Sequence, residues 1–140
     1  MLATLCCPGA GRSVDNFAQG GMAAPISVES GRISGPACQK RGRVGIEWHE
    51  NHPDQGERFE GFAIPRWNEV LELVLRAHEH FRALIPSAGW DVALQEEGPY
   101  LMEINPVWGA DVVQLSNQRG LLDSPFATHV REEWSMTSAS

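Results

Sequence analysis

The chain has 140 residues, of which 42% are apolar, enough to bury the core of a single domain. Acidic residues outnumber basic ones by 18 to 11 and Lys40-Arg41-Gly42-Arg43 is the one basic cluster, which argues against binding along a nucleic-acid backbone. No run approaches the ~18 apolar residues of a membrane span, and the start through Pro8 lacks a basic leader, so a cytoplasmic location with no membrane partner is expected.

Residues 1–13 are small and glycine-containing with no clear period, and a loosely ordered start is expected there. Cys6, Cys7 and Cys38 are odd in number, and an adjacent pair suits an ordinary disulfide poorly, so reduced thiols are expected. No histidine stands in zinc-ligand spacing with them. From Val14 to Gln39, Gly20-Gly21 and Glu29-Ser30-Gly31 are turn signals, and residues 24–28 and 32–38 suggest the strands of a hairpin. Residues 40–63 suggest irregular structure, with Asn51-His52-Pro53-Asp54-Gln55-Gly56 as the clearest loop.

The spacing predicts a helix over residues 65–85. Trp67, Val70, Leu71, Val74, His78, Phe81 and Ile85 recur at helical intervals on one face, opposite Glu69, Glu72, Arg76 and Glu79, and Pro86 stops the run. His78 lies near the apolar stripe and His80 beside it; with no carboxylate or cysteine at matching spacing, helix packing is the expected role.

Two short strands follow, over residues 88–95 and 99–105, joined by Glu96-Glu97-Gly98 as a three-residue loop ending in a left-handed glycine. Alternation sets Trp90, Val92 and Leu94 on one face with Tyr100, Met102 and Ile104, and turns Asp91, Glu103 and Asn105 to the other. Pairing Gln95 with Pro99 would bring Asp91 opposite Glu103. Two carboxylates so placed repel unless one is protonated or a cation lies between them. Oxygen donors alone suit Mg²⁺ completed by phosphate and water, while a merely solvated polar face satisfies the same pattern. Leu121, Leu122, Phe126 and Val130 suit a packed closing segment, and the tail over residues 135–140 is expected to be disordered.

Gly89-Trp-Asp-Val-Ala-Leu94 followed by Glu97-Gly-Pro-Tyr-Leu-Met-Glu-Ile-Asn-Pro106 resembles the closing segment of ATP-grasp enzymes, in which a strand aspartate precedes Glu-x-Asn. Val14-Asp-Asn-Phe-Ala-Gln-Gly-Gly21 is similar to the Asn…Gly-Gly segment of glutamate-ligase-like members, and with His52-Pro53-Asp54 the likeness is greatest to the sugar-transfer-associated group over residues 12–130. The resemblance implies an α+β fold, with a mostly antiparallel sheet packed by one long helix. It further implies that residues 14–134 form the C-terminal, metal-binding lobe, the N-terminal lobe being missing or supplied by a second chain. It implies Asp91, Glu103 and Asn105 as ligands of Mg²⁺ (or Mn²⁺) bound with ATP, and Arg12 and Asn16 near the terminal phosphate or the acyl phosphate, although a solvated arginine and a turn asparagine fit those two equally.

The activity implied is that of a carboxylate-amine ligase working through an acyl phosphate on an unidentified carboxylate substrate, linked to polysaccharide or sugar-transfer biosynthesis. The catalytic residues are not identified, and the chain alone is expected to be inactive. The lysines expected for the α- and β-phosphates are not matched: Lys40 is the only lysine. Two other readings are a non-catalytic remnant or binding module that keeps the fold, and a metal-dependent phosphoesterase using His49 or His52.

Overall fold

A computed structural model describes residues 1–42, 44–122, 124, 126–128 and 130–132. The protein is α+β with antiparallel sheets. Strands β1 (Ala3–Cys7), β2 (Met22–Ile26), β3 (Ala37–Arg41) and β4 (Gly45–His49) form a four-stranded sheet in that order. A long helix α1 (Trp67–Phe81) follows, then a separate two-stranded sheet of β5 (Gly89–Leu94) and β6 (Pro99–Asn105), and a short helix α2 (Ala110–Ser116). Among the described residues no helix is long and apolar enough to cross a membrane.

Period-two alternation in β2 gives the larger sheet two buried faces. Met22, Ala24 and Ile26 pack with Ile33, Ala37, Phe59 and Ile64 on one side, joined by Trp67 from the start of α1. Ala23 and Cys38 point the other way and are covered by Phe17, Val112 and Leu115, from a 3₁₀ turn (Phe17–Gln19) and from α2. Pro25 is tolerated because β2 pairs with β3 only through Met22 and Ala23, so its missing N–H falls outside that ladder.

Several expectations are corrected here. Residues 3–7, expected to be loosely ordered, form β1 and pair along their whole length with β2. The hairpin expected over residues 24–28 and 32–38 exists with its strands displaced, and Ser27–Gly31 makes the turn, with the Gly31 N–H donating to the Ser27 carbonyl at 2.8 Å. Residues 45–49, expected to be irregular, form β4, paired with β3 throughout. The tail over residues 135–140 lies outside the described residues.

Helix α1 begins two residues after Pro65, and Arg66 enters it with φ of 54°, a left-handed conformation that costs a non-glycine residue roughly 1 kcal/mol. Only Val70 of the apolar stripe is buried; the rest is half-buried, and Phe81 is 40% exposed. Gly31 has φ of +66°, and a Cβ built there would lie 2.4 Å from the Trp67 ring, whose indole N–H donates to the Val28 carbonyl at 2.8 Å. Glycine at this turn is therefore what admits Trp67 into the core.

Candidate functional site

The β5–β6 hairpin turns through Glu96-Glu97, two residues rather than three. Gln95 and Gly98 exchange both backbone hydrogen bonds, at 3.0 and 3.2 Å, and Leu94 faces Pro99. Gly98 adopts φ of +147°, outside the left-handed helical value expected. A turn one residue shorter would put Asp91 out of step with Glu103, but the register shifts between Asp91 and Val92: Val92 faces Leu101 while Asp91 faces Glu103. Met102 is the extra residue of this bulge.

The bulge re-sorts the faces. Trp90 pairs with Ile104 and Val92 with Leu101, so Leu101 takes the inner place expected of Met102. Tyr100 and Met102, both expected in the apolar set, are 58% and 65% exposed. On the outer face Asp91 and Glu103 are opposed, and Asn105, opposite Gly89, donates from Nδ2 to Asp91 Oδ2 at 3.2 Å. That bond leaves the Asn105 amide oxygen as its acceptor.

Gly89 has a definite steric duty. A Cβ there would lie 2.9 Å from the Trp108 Cβ, so glycine lets the chain after Asn105 fold back beside β5. Trp108 is held there by donation to Ser87 Oγ at 2.9 Å and by an edge contact with Phe126, which packs as expected of a closing segment; Leu122 and Val130 are exposed.

Behind the carboxylate pair, α1 supports the hairpin at two places. Near the turn, the Arg66 guanidinium packs over Gly98, donates to the Glu96 carbonyl at 3.1 Å and forms two hydrogen bonds with Glu69, at 2.9 and 2.7 Å. At the other end, Trp90 Nε1–H donates to His78 Nδ1 at 3.3 Å, and Phe81 meets the same indole with ring centroids 6.0 Å apart. His78 is thus a packing histidine, as its position on the stripe suggests.

The upstream candidates lie in a loop pinned from several sides. Arg12 donates to the Gln19 carbonyl at 2.7 Å and covers Gly20; Asn16 caps the 3₁₀ turn, accepting from the Ala18 N–H at 2.9 Å. Buried Gln39 donates to the Gly20 carbonyl at 2.7 Å, and Asp54 accepts from the Gly11 N–H at 2.9 Å. His52 accepts from the Asp54 and Gln55 N–H groups, and His49 contacts Gln39. Lys40 forms an ion pair with Asp111 and lies over the Phe17 ring, so its ammonium is already engaged.

One feature of this region was not legible in the sequence. The Cys6 thiol on β1 is pushed up to about 11, first by burial and then by the nearby carboxylates of Asp15 and Asp91. Its side chain still reaches solvent, so it sits in a crowded recess rather than in the core. Recognising β1 as a strand was the missing signal, because β1 carries Cys6 toward the hairpin.

Among the described residues no group of three or more His, Cys, Asp and Glu side chains is placed to hold a metal ion. Two carboxylates and an amide oxygen are a donor set that suits Mg²⁺, which commonly uses one or two protein carboxylates and takes its other ligands from phosphates and water.

No curated protein and no solved structure matches the chain. The family model described as sugar-transfer associated ATP-grasp matches residues 1–131, a span that includes both strands of the hairpin. ATP-grasp proteins generally bind ATP with Mg²⁺ and carry out ligase-type chemistry. With nearly its whole length matched, the chain belongs to the sugar-transfer associated ATP-grasp family.

Proposed function

We propose that the β5–β6 hairpin is the metal-holding element of an ATP-dependent, ligase-like domain, in which Asp91, Glu103 and Asn105 would hold Mg²⁺ or Mn²⁺ together with the phosphates of ATP. The observation that carries this reading is the opposition of Asp91 and Glu103 across the bulged pair, with Asn105 oriented by its bond to Asp91. Like charges facing each other cost stability, and a bulge that restores their opposition suggests a use for it.

When bound, the ion would neutralise charge spread over the phosphate oxygens. The chain's own contribution is orientation. Gly89 and Trp108 support the strand end beside Asn105, and the α1 contacts support the face behind Asp91. On this reading the chain is the metal-binding lobe, the acceptor of the phosphoryl group is a carboxylate, and the adenine and the remaining phosphates are held by a further segment or chain. Arg12 and Asn16 are part of the same proposal only as residues of the pinned loop; their side chains already serve that loop.

Mn²⁺ titration of the whole chain, followed by paramagnetic broadening of backbone amide signals, tests the reading. Broadening centred on residues 91, 103 and 105 and lost in Glu103→Gln is expected. Broadening spread evenly over the acidic surface, or equal in the variant, would overturn it.

A further inference from the structure

The β5–β6 hairpin forms a two-stranded sheet of its own, and among the described residues no strand pairing joins it to the four-stranded sheet. Such a hairpin is marginal in isolation and depends on what packs against it. The contacts from α1 therefore decide how firmly the carboxylate face is presented.

They fall at two distinct places. Arg66 holds the turn through the Glu96 carbonyl and Gly98, five to seven residues along the chain from Asp91 and Glu103. His78 acts directly behind the pair. Its Nδ1 accepts the Trp90 indole N–H at 3.3 Å, its ring meets the indole edge-on at 6.3 Å, and Trp90 adjoins Asp91. The cross-strand partner of Trp90 is Ile104, which lies between Glu103 and Asn105.

We propose that His78 is a positioning residue for the ligand face: by accepting the Trp90 N–H it sets the orientation of the strand segment that carries Asp91, Glu103 and Asn105. This deepens the reading of the hairpin as a metal-holding element and rests on it. An acceptor at the Nδ1 position is what the role demands, because a half-buried indole N–H left without a partner loses part of its hydration and is relieved by rotation of the side chain toward water. In metal sites, partners that orient ligands through hydrogen bonds typically change affinity 10- to 100-fold. One residue further removed, His78 is expected to change it about three- to tenfold.

Two variants separate positioning from bulk stability. His78→Asn keeps an acceptor near the place of Nδ1 but lowers helix propensity; His78→Leu fills the space and favours the helix but accepts nothing. A purely structural role ranks Leu at or above Asn in every measurement. Positioning reverses that order at the ligand face.

The experiment uses the full chain and Mn²⁺ alone as probe, with amide hydrogen exchange at residues 90, 91, 103 and 105 measured without metal. We expect His78→Leu to raise the Mn²⁺ dissociation constant three- to tenfold and to speed exchange at those amides about tenfold, with His78→Asn near the wild type in both. If wild type binds Mn²⁺ at the hairpin and both variants match it, the His78 role is overturned while the metal reading stands. If wild type shows no Mn²⁺ effect at the hairpin, the metal reading fails and the dependent role of a metal-positioning residue falls with it; the exchange comparison then reports only whether His78 orders the strand.

Discussion

Replacing Glu103 by glutamine should reverse its effect on stability according to whether metal is present. Without metal, the substitution removes one of two opposed carboxylates and leaves Asp91 with its Asn105 donor, so Glu103→Gln should melt at the wild-type temperature or slightly above. The gain is limited to a few tenths of a kcal/mol, because both groups are exposed and screened. With Mn²⁺ or Mg²⁺ at ten times the dissociation constant, the wild type gains RT ln 11, about 1.4 kcal/mol, and the variant little. For a chain of this size that corresponds to a rise of about 4 to 5 °C for wild type alone. Thermal melts at about 0.15 M salt, with metal chloride matched by an equivalent of inert salt, measure both arms. An equal metal response in the two proteins would refute the ligand assignment. A variant clearly less stable than wild type without metal would refute the repulsion argument, since it would mean that Glu103 makes a favourable contact of its own.

Gly31→Ala should cost about 2 to 4 kcal/mol in urea unfolding, combining a left-handed backbone with a Cβ driven against the anchored Trp67; a loss below about 1 kcal/mol would show that the turn adjusts freely. Phe81→Ala should cost only about 1 to 2 kcal/mol, less than a fully buried phenylalanine would, because the side chain is 40% exposed while resting on Trp90. The hydrogen bond from Lys40 holds the Asp111 carboxyl below its ordinary value, so its contribution is present above the usual carboxylate range and is lost as pH falls through the depressed value. The stability difference between wild type and Asp111→Asn, less than about 1 kcal/mol for so exposed a pair, should thus be constant near neutrality and vanish in acid; a difference that grows in acid would contradict this. In a Cys7→Ser background, Cys6 should react with iodoacetamide at pH 8 on the order of tenfold or more slowly than a free cysteine, and Asp15→Asn should accelerate it, as followed by peptide mass spectrometry.

The parts of this molecule that were legible in its sequence are those with strong periodicity or turn punctuation. The α1 stripe announced itself through seven apolar or near-apolar positions at helical spacing, and the hairpin through alternation on both sides of Glu97-Gly98-Pro99. Strands β1 and β4 did not: Ala-Thr-Leu-Cys-Cys has no clean alternation, and that of Gly-Ile-Glu-Trp-His runs for only five residues; pairing with neighbouring strands makes them strands. The opposition of Asp91 and Glu103 was anticipated for an incomplete reason. The turn is one residue shorter than expected and Met102 is one residue extra, and the two departures cancel at the ligands while exposing Tyr100 and Met102. An alternating sequence hides a bulge of this kind, since it only becomes visible when both strands are registered.

That cancellation separates two things that a regular hairpin would tie together. In an unbulged ladder, the length of the loop dictates which side chains meet across every pair below it, so any edit at the tip is transmitted to the ligands. Here Met102 acts as a slip joint. Residues beyond it answer to the turn, and residues before it answer to α1 and to Trp108. The Glu96-Glu97 tip is therefore the place where sequence can drift or be engineered without retuning the ligands, whereas deleting Met102 would leave a regular ladder in which Asp91 still faces Glu103 but any later change in loop length reaches the ligands.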